Sequence, residues 1–289
     1  VADVAVVTDS TCYLPGALVD SVGITVVSSY YDVGAGALRE AEFDGDFAQF
    51  YAHLDASKSV AATSAPTVED FVVVFERLLR QHSAVVSVLI SSGISETCSM
   101  ARQAAARLAS EDRGGERVMV IDSAGLGGHL GLQALAAARA ATAGADVQGV
   151  IERVRQARAA VKGWGLVDTL EYLRRSDRVG TLAAWIGSAL DLKPILAIES
   201  ELKAVERVRT YRRGVERLVD LMRQRRAVGS DRWFVQHAHA HEEAKRLVER
   251  LGELFGTAPE FIAEIGPVVA THTGPGALLV GGLPGAALR

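Results

Sequence analysis

Two clusters of hydroxyls and one late histidine are the groups in this chain whose types and spacing suit chemistry. Thr63-Ser64-Ala65-Pro66-Thr67 sets two hydroxyls just ahead of a proline, and the residue before a proline is kept out of the helical region. That makes a fixed, extended shelf, able to serve a ligand or only the fold. Ser95 lies in the turn Ser91 to Thr97, between the apolar run Val85 to Ile90 and a helical pattern through Met100, Ala101, Ala104, Ala105 and Leu108. If Ser95 caps that helix, its hydroxyl and the orphan N–H groups of Glu96, Thr97 and Cys98 surround one small volume at the positive end of the helix dipole. Such a volume suits a carboxylate or a phosphate, and the alternative is an ordinary capped helix. His272 sits within Ile265 to Gly276, where glycines and prolines fix an irregular backbone around a single titratable group.

A serine at a strand-to-helix turn followed late in the chain by a histidine permits two chemistries. One is a serine esterase or lipase-like hydrolase using Ser95 and His272: Gly93-Ile94-Ser95-Glu96-Thr97 approaches the nucleophile elbow Gly-x-Ser-x-Gly, and the serine-then-histidine order fits. The last glycine of that elbow is missing, and no HGGG-type oxyanion motif is present. In the other, nothing is cleaved. Ser95, the helix start, Thr63 or Ser64 and His272 converge on the carboxylate of an apolar acid lying between two domains. Burial at about 0.8 kcal/mol per methylene gives a chain of roughly fourteen methylenes about 11 kcal/mol before ordering costs, so the tail supplies affinity and the polar head supplies orientation.

The elements that must position these groups follow from the pattern. Val4 to Val7 reads as a parallel strand ending in Thr8-Asp9-Ser10-Thr11, at the edge where open α/β sheets collect ligands. Pro15 starts a short helix, Ile24 to Tyr31 reads as a second strand, and Phe47, Phe50, Tyr51 and Leu54 form a helical core stripe. Thr67 and Asp70 have the spacing of a capping box. Val118 to Ile121 is a further strand, and Ala134 to Ala143 and Val147 to Val161 are helices, so strand and helix recur as in a parallel sheet covered on both faces. The glycine-rich run Ala124 to Gly131 does not fit a dinucleotide fingerprint, because Leu130 stands where the third glycine belongs.

From Gly163 the texture changes. An apolar helix running through Trp185 and Leu190 is ended by Pro194. Ile195 to Glu199 and Ala204 to Arg209 form an antiparallel hairpin, followed by a helix around Leu218 to Met222, a strand at Trp233 to Gln236, a helix at Glu242 to Leu254 and a strand around Phe261 to Ile265. The expected organisation is two domains, 1–162 and 163–289, with the ligand between them.

Composition narrows the class. A chain of 289 residues that is 49% hydrophobic can bury a large core, and a net charge of -4 gives no general attraction to nucleic acid or an anionic membrane. Two cysteines, Cys12 and Cys98, do not make a disulfide framework, which fits a cytoplasmic protein. No apolar run approaches a membrane span, and no signal peptide is expected. His237, His239 and His241 alternate, but a helix is expected from Glu242 and no nearby cysteine or carboxylate cluster completes a shell, so no metal site is expected.

Taken together, Thr8-Asp9-Ser10-Thr11 with Leu14-Pro15, Thr63 to Thr67, Ser91 to Ser95, Asp122-Ser123, Asp168 to Leu173, Val208-Arg209-Thr210 and Gly266 to Gly276 resemble the DegV-type fatty acid-binding proteins, which include the bacterial fatty acid kinase B subunits. The resemblance implies a two-domain α/β fold, with a parallel-sheet N-terminal domain and a smaller C-terminal α/β domain containing antiparallel strands. It implies a long-chain fatty acid in an interdomain tunnel, phosphorylated to an acyl phosphate by a separate kinase subunit. This chain then presents substrate and is not itself the catalyst. By position, Thr63, Ser64, Ser95, Thr97 and His272 resemble the carboxylate site, and Arg209, Arg174 and Arg175 resemble positions that meet the phosphoryl group or the kinase. No cofactor is implied besides the fatty acid, no nucleic acid partner is implied, and transient membrane contact is compatible. This chain departs from the family pattern in carrying Glu96 and Cys98 after Ser95, and glycines in Ala124 to Gly131 where the family tends to have a hydroxyl.

Overall fold

A computed structural model describes residues 3–34, 36–56, 62–175 and 192–289. In chain order its elements are β1 (Val4–Asp9), α1 (Gly16–Val22), β2 (Ile24–Val27), β3 (Tyr30–Asp32), β4 (Leu38–Arg39), α2 (Phe47–Ala56), β5 (Ala62–Ser64), α3 (Val68–Leu79), β6 (Ala84–Leu89) and α4 (Thr97–Ser110). There follow β7 (Val118–Asp122), α5 (Gly128–Thr142), α6 (Val147–Ala160), β8 (Lys162–Leu166), α7 (Glu171–Arg175), β9 (Lys193–Ile198) and β10 (Leu202–Val208). The chain ends with α8 (Tyr211–Ala227), β11 (Arg232–His237), α9 (His241–Phe255), β12 (Phe261–Glu264), α10 (Pro267–Thr273) and β13 (Leu278–Leu283).

The fold is mixed α/β. Strands β2-β1-β6-β7 form a wholly parallel sheet. Every residue of β1 and β6 is buried, as a sheet covered by helices on both faces requires. A six-stranded sheet in the order β10-β9-β8-β13-β11-β12 is antiparallel except for its β11–β12 pair. All of its strands come from Lys162 onward. A small antiparallel sheet, β4-β3-β5, carries Thr63 and Ser64 opposite Tyr31 and Tyr30.

Helix α5 joins the two large sheets. It is buried from Gly128 through Ala138 and packs on β1 and β6 of one sheet and on β8, β11 and β13 of the other. Glycine is required at its first turn, since a Cβ on Gly128 would lie 2.3 Å from the Phe234 ring. Alanines along the rest of the helix keep both sheets within packing distance.

Two local expectations differ from the structure. The stretch Ile24 to Tyr31 is two strands in two sheets. The Ser28 hydroxyl accepts from Ala41 N–H at 3.0 Å and the Ser10 hydroxyl accepts from Ser29 N–H at 3.0 Å, so these serines take the chain from one sheet to the next. Pro194 lies inside β9, at its second residue, where a missing N–H costs the ladder least. The hairpin itself forms in the expected place. The apolar helix through Trp185 and Leu190 lies outside the described residues. Among the described residues no helix is long and apolar enough to cross a membrane.

Candidate functional site

The carboxyl ends of β1 and β6 open into a cavity holding about 870 Å³ of empty space, its mouth included. Its apolar walls come from both large sheets and their connections: Ile90 and Ile94 after β6, Leu126 ahead of α5, Leu173 of α7, Leu196 and Ile198 of β9, and Leu279 of β13. Thr11, Ser29, Thr63, Ser64, Ser95, His272 and Thr273 are its polar lining. No carboxylate, lysine or arginine stands among the described residues that line it. The cavity thus offers hydroxyls and an imidazole, with no fixed anion on its described lining.

Thr63, Ser64, Ser95 and His272, drawn from three distant stretches, thus border one space. The Thr63 hydroxyl lies 2.8 Å from His272 Nε2. The Ser95 hydroxyl lies 2.8 Å from that of Thr97 and accepts the Thr97 N–H at 3.3 Å. Thr97 is fully buried and reaches the cavity through Ser95. The helix begins one residue later than expected: Glu96, not Ser95, is the N-cap, and its side chain makes no capping bond. Glu96 is exposed and does not line the cavity, so its charge does not take the place of a ligand carboxylate.

The turn is anchored from below. Asp9, fully buried at the end of β1, accepts the Ile90 N–H at 2.7 Å and the Thr11 N–H at 3.1 Å, tying the first strand to the start of the turn. Burial raises its carboxyl above the ordinary value, with the Thr11 hydroxyl and these amides pulling the other way. Gly93 receives the β9–β10 turn: a Cβ there would lie 2.3 Å from the Ser200 carbonyl oxygen, to which Ser91 donates at 2.6 Å. That close approach docks the hairpin bearing Leu196, Ile198 and Leu202 against the hydroxyl turn.

Sequence reasoning missed the residues that hold α10, the short helix that carries His272. Two of its first amides have no partner within the helix. Val268 N–H donates to the Glu40 carboxylate at 2.8 Å and Val269 N–H donates to the Tyr13 hydroxyl at 3.0 Å. Tyr13 in turn donates to Glu40 at 2.9 Å, and the Ser10 hydroxyl donates to its other oxygen. Burial pushes the Glu40 carboxyl up from 4.5 to about 7, against the pull of the Ser10, Val268 and Tyr13 hydrogen bonds. Burial, and then the Glu40 charge, raise the Tyr13 phenol well above its usual range. Only the position of Tyr13, two residues after the Thr8-Asp9-Ser10-Thr11 cluster, could have drawn attention to this group.

The arginines are elsewhere. Arg174 and Arg175 are exposed on α7 and both pair with Glu171, at 2.8 and 2.9 Å, one residue beyond the cavity-lining Leu173. Those bonds hold the Glu171 carboxyl down at about 2. Arg209 is exposed just after β10, beside an open polar groove that it shares with Arg213 and Arg217. Neither group lines the cavity.

An esterase would need the serine hydroxyl on the imidazole. Here the Ser95 hydroxyl is engaged by Thr97 and the His272 Nε2 by Thr63, and nothing supports the hydrolase reading.

Comparison with known proteins agrees with the architecture. The DegV family model, described as "Uncharacterised protein, DegV family", matches residues 3–284. A DegV domain-containing protein of Streptomyces coelicolor is 34% identical over 278 residues, covering 95% of this chain and 96% of the relative. Among solved structures, a DegV family protein from Thermus thermophilus described by its fatty acid binding superposes with a TM-score of 0.86 at 27% identity, covering 98% of this chain and 99% of its own. DegV of Bacillus subtilis, described as a fatty acid binding protein, superposes with a TM-score of 0.86 at 28% identity, covering 98% of this chain and 100% of its own. With the family model spanning nearly its whole length, this chain belongs to the DegV family.

Proposed function

We propose that this protein binds a long-chain fatty acid, with the acyl chain in the apolar cavity and the carboxylate at its hydroxyl-lined end, between domains 1–162 and 163–289. The observation that carries this reading is the Thr63–His272 pair, set at 2.8 Å on the wall of a cavity otherwise lined mainly by aliphatic side chains. Solved relatives described as fatty acid-binding proteins support the ligand class.

The roles follow from charge and reach. Thr63, Ser64 and Ser95 donate hydroxyl hydrogens to the carboxylate, Thr97 orients the Ser95 hydroxyl, and His272 supplies a ring N–H, charged or neutral. Together they offset the cost of taking a carboxylate out of water. The tail contributes about 0.8 kcal/mol for each buried methylene, so the cavity sets affinity and the head site sets which end is presented. A separate kinase subunit then phosphorylates the presented carboxylate to an acyl phosphate, with Arg209, and Arg174 with Arg175, meeting the phosphoryl group or the kinase surface. The chain supplies substrate and does not bind the phosphate donor.

Organic extraction of the purified protein followed by mass spectrometry tests the ligand. A fatty acid recovered at about one per chain agrees with the proposal, and a protein that neither carries nor takes up fatty acid refutes it.

A further inference from the structure

The ends of β11 and β12 lie side by side, His237 opposite Glu264 in parallel register. His237 is buried at the last position of β11, and two residues later His239 adopts a left-handed backbone, φ 49°, which turns the chain so that α9 starts at His241. The turn brings the His237 and His241 rings to a centroid distance of 4.5 Å. Glu264 Oε2 lies 3.2 Å from His241 Nε2, and its Oε1 lies 4.0 Å from His237 Nδ1. A nitrogen from each ring and a carboxylate oxygen all fall within 4.8 Å of one another.

We propose that His237, His241 and Glu264 form a binding site for one divalent cation of the zinc class. The parallel pairing of β12 supplies the carboxylate that the local histidine run lacks. Two imidazoles and one carboxylate are a borderline donor set that suits zinc better than magnesium or calcium, which prefer oxygen ligands. Tetrahedral zinc needs donors about 3.3 Å apart, and one pair already meets that. The His237–Glu264 pair, at 4.0 Å, closes by a small shift of the carboxylate, and the His237–His241 pair by a small rotation of His241, whose side chain is 65% exposed.

Three further features fit a cation. The His239 N–H donates to Glu264 Oε1 at 3.1 Å, fixing the carboxylate from outside the cluster, as supports behind metal ligands do. Among the described residues no lysine or arginine pairs with Glu264, whose ring partners are the imidazoles of His237 and His241. Glu264 also borders an open groove with Ile262, Ala263 and Pro267, and the exposed ring of His241 leaves the cluster open to an ion and a completing water.

Zinc chloride titrated by calorimetry into chelator-treated full-length protein tests the site, with magnesium chloride as comparison. The expected result is one saturable zinc site that magnesium does not fill, weakened at least about tenfold by His241→Ala and by Glu264→Gln. His241 is exposed, so its replacement leaves the fold intact. Absence of a saturable zinc site, or one that neither substitution weakens, overturns the proposal.

Discussion

His272 and Thr63 are 209 positions apart in sequence, and their Nε2 and Oγ1 atoms lie 2.8 Å from one another. The bond joins α10, which precedes the last strand, to the small sheet of the N-terminal half, so the proposed head-group site is built where distant stretches meet. Its partners can be separated by substitution.

Replacing His272 by alanine, or Thr63 by valine, removes one hydrogen-bond donor from the site while leaving the aliphatic walls in place. A hydrogen bond to a charged group contributes about 1.5–3 kcal/mol, so fatty acid affinity should fall about tenfold to a hundredfold. Affinity for the matching alcohol should change much less. Displacement of a fluorescent fatty acid measures both.

Chain length should follow the cavity. Each methylene removed from a bound saturated acid should weaken binding about fourfold, from about 0.8 kcal/mol per buried methylene. Ile198→Trp, which fills the wall contributed by β9, should exclude long acids and retain short ones. A uniform loss for all chain lengths would place the tail elsewhere.

Burial of Glu40 gives the stability of the fold a pH dependence of known sign. Its folded value of about 7 lies above the ordinary 4.5, so the stability it lends is complete below pH 4.5 and is lost as pH rises through 7. The loss amounts to about 3 kcal/mol over that window. Urea unfolding of Glu40→Gln should lack this part of the decline, so the two proteins diverge between pH 4.5 and 7, the window the shift defines.

Arg209 separates presentation from binding. It is exposed and outside the cavity, so Arg209→Ala should leave fatty acid affinity unchanged. Acyl phosphate formation with a cognate kinase should fall about tenfold or more if the guanidinium meets a phosphoryl oxygen, the loss of a charged hydrogen bond. Arg174→Ala should have a smaller effect, because that guanidinium is already bound to Glu171.

What was legible in the sequence was local. The buried strand Ala84–Leu89, the capping box in which Thr67 and Asp70 bond each other's backbone, and the hairpin of β9 and β10 are set by near neighbours, and each forms where the pattern puts it. Near neighbours mislead where a distant group intervenes. Ser28 and Ser29 look like strand interior, yet their bonds to Ala41 and Ser10 carry the chain into another sheet. The hold of Glu40 on Val268 spans 228 positions, and no periodicity encodes a buried carboxylate capping a helix that far away. Glu264 escaped notice for the same reason, since only the β11–β12 register sets it beside His237.

The most direct measurement is a crystal structure of the protein with palmitic acid. The carboxylate is expected within hydrogen-bonding distance of Thr63, Ser95 and His272, with the chain running between Leu126, Leu196 and Ile198. A head group outside this set, or a cavity closed while the acid binds at another surface, would contradict the proposal.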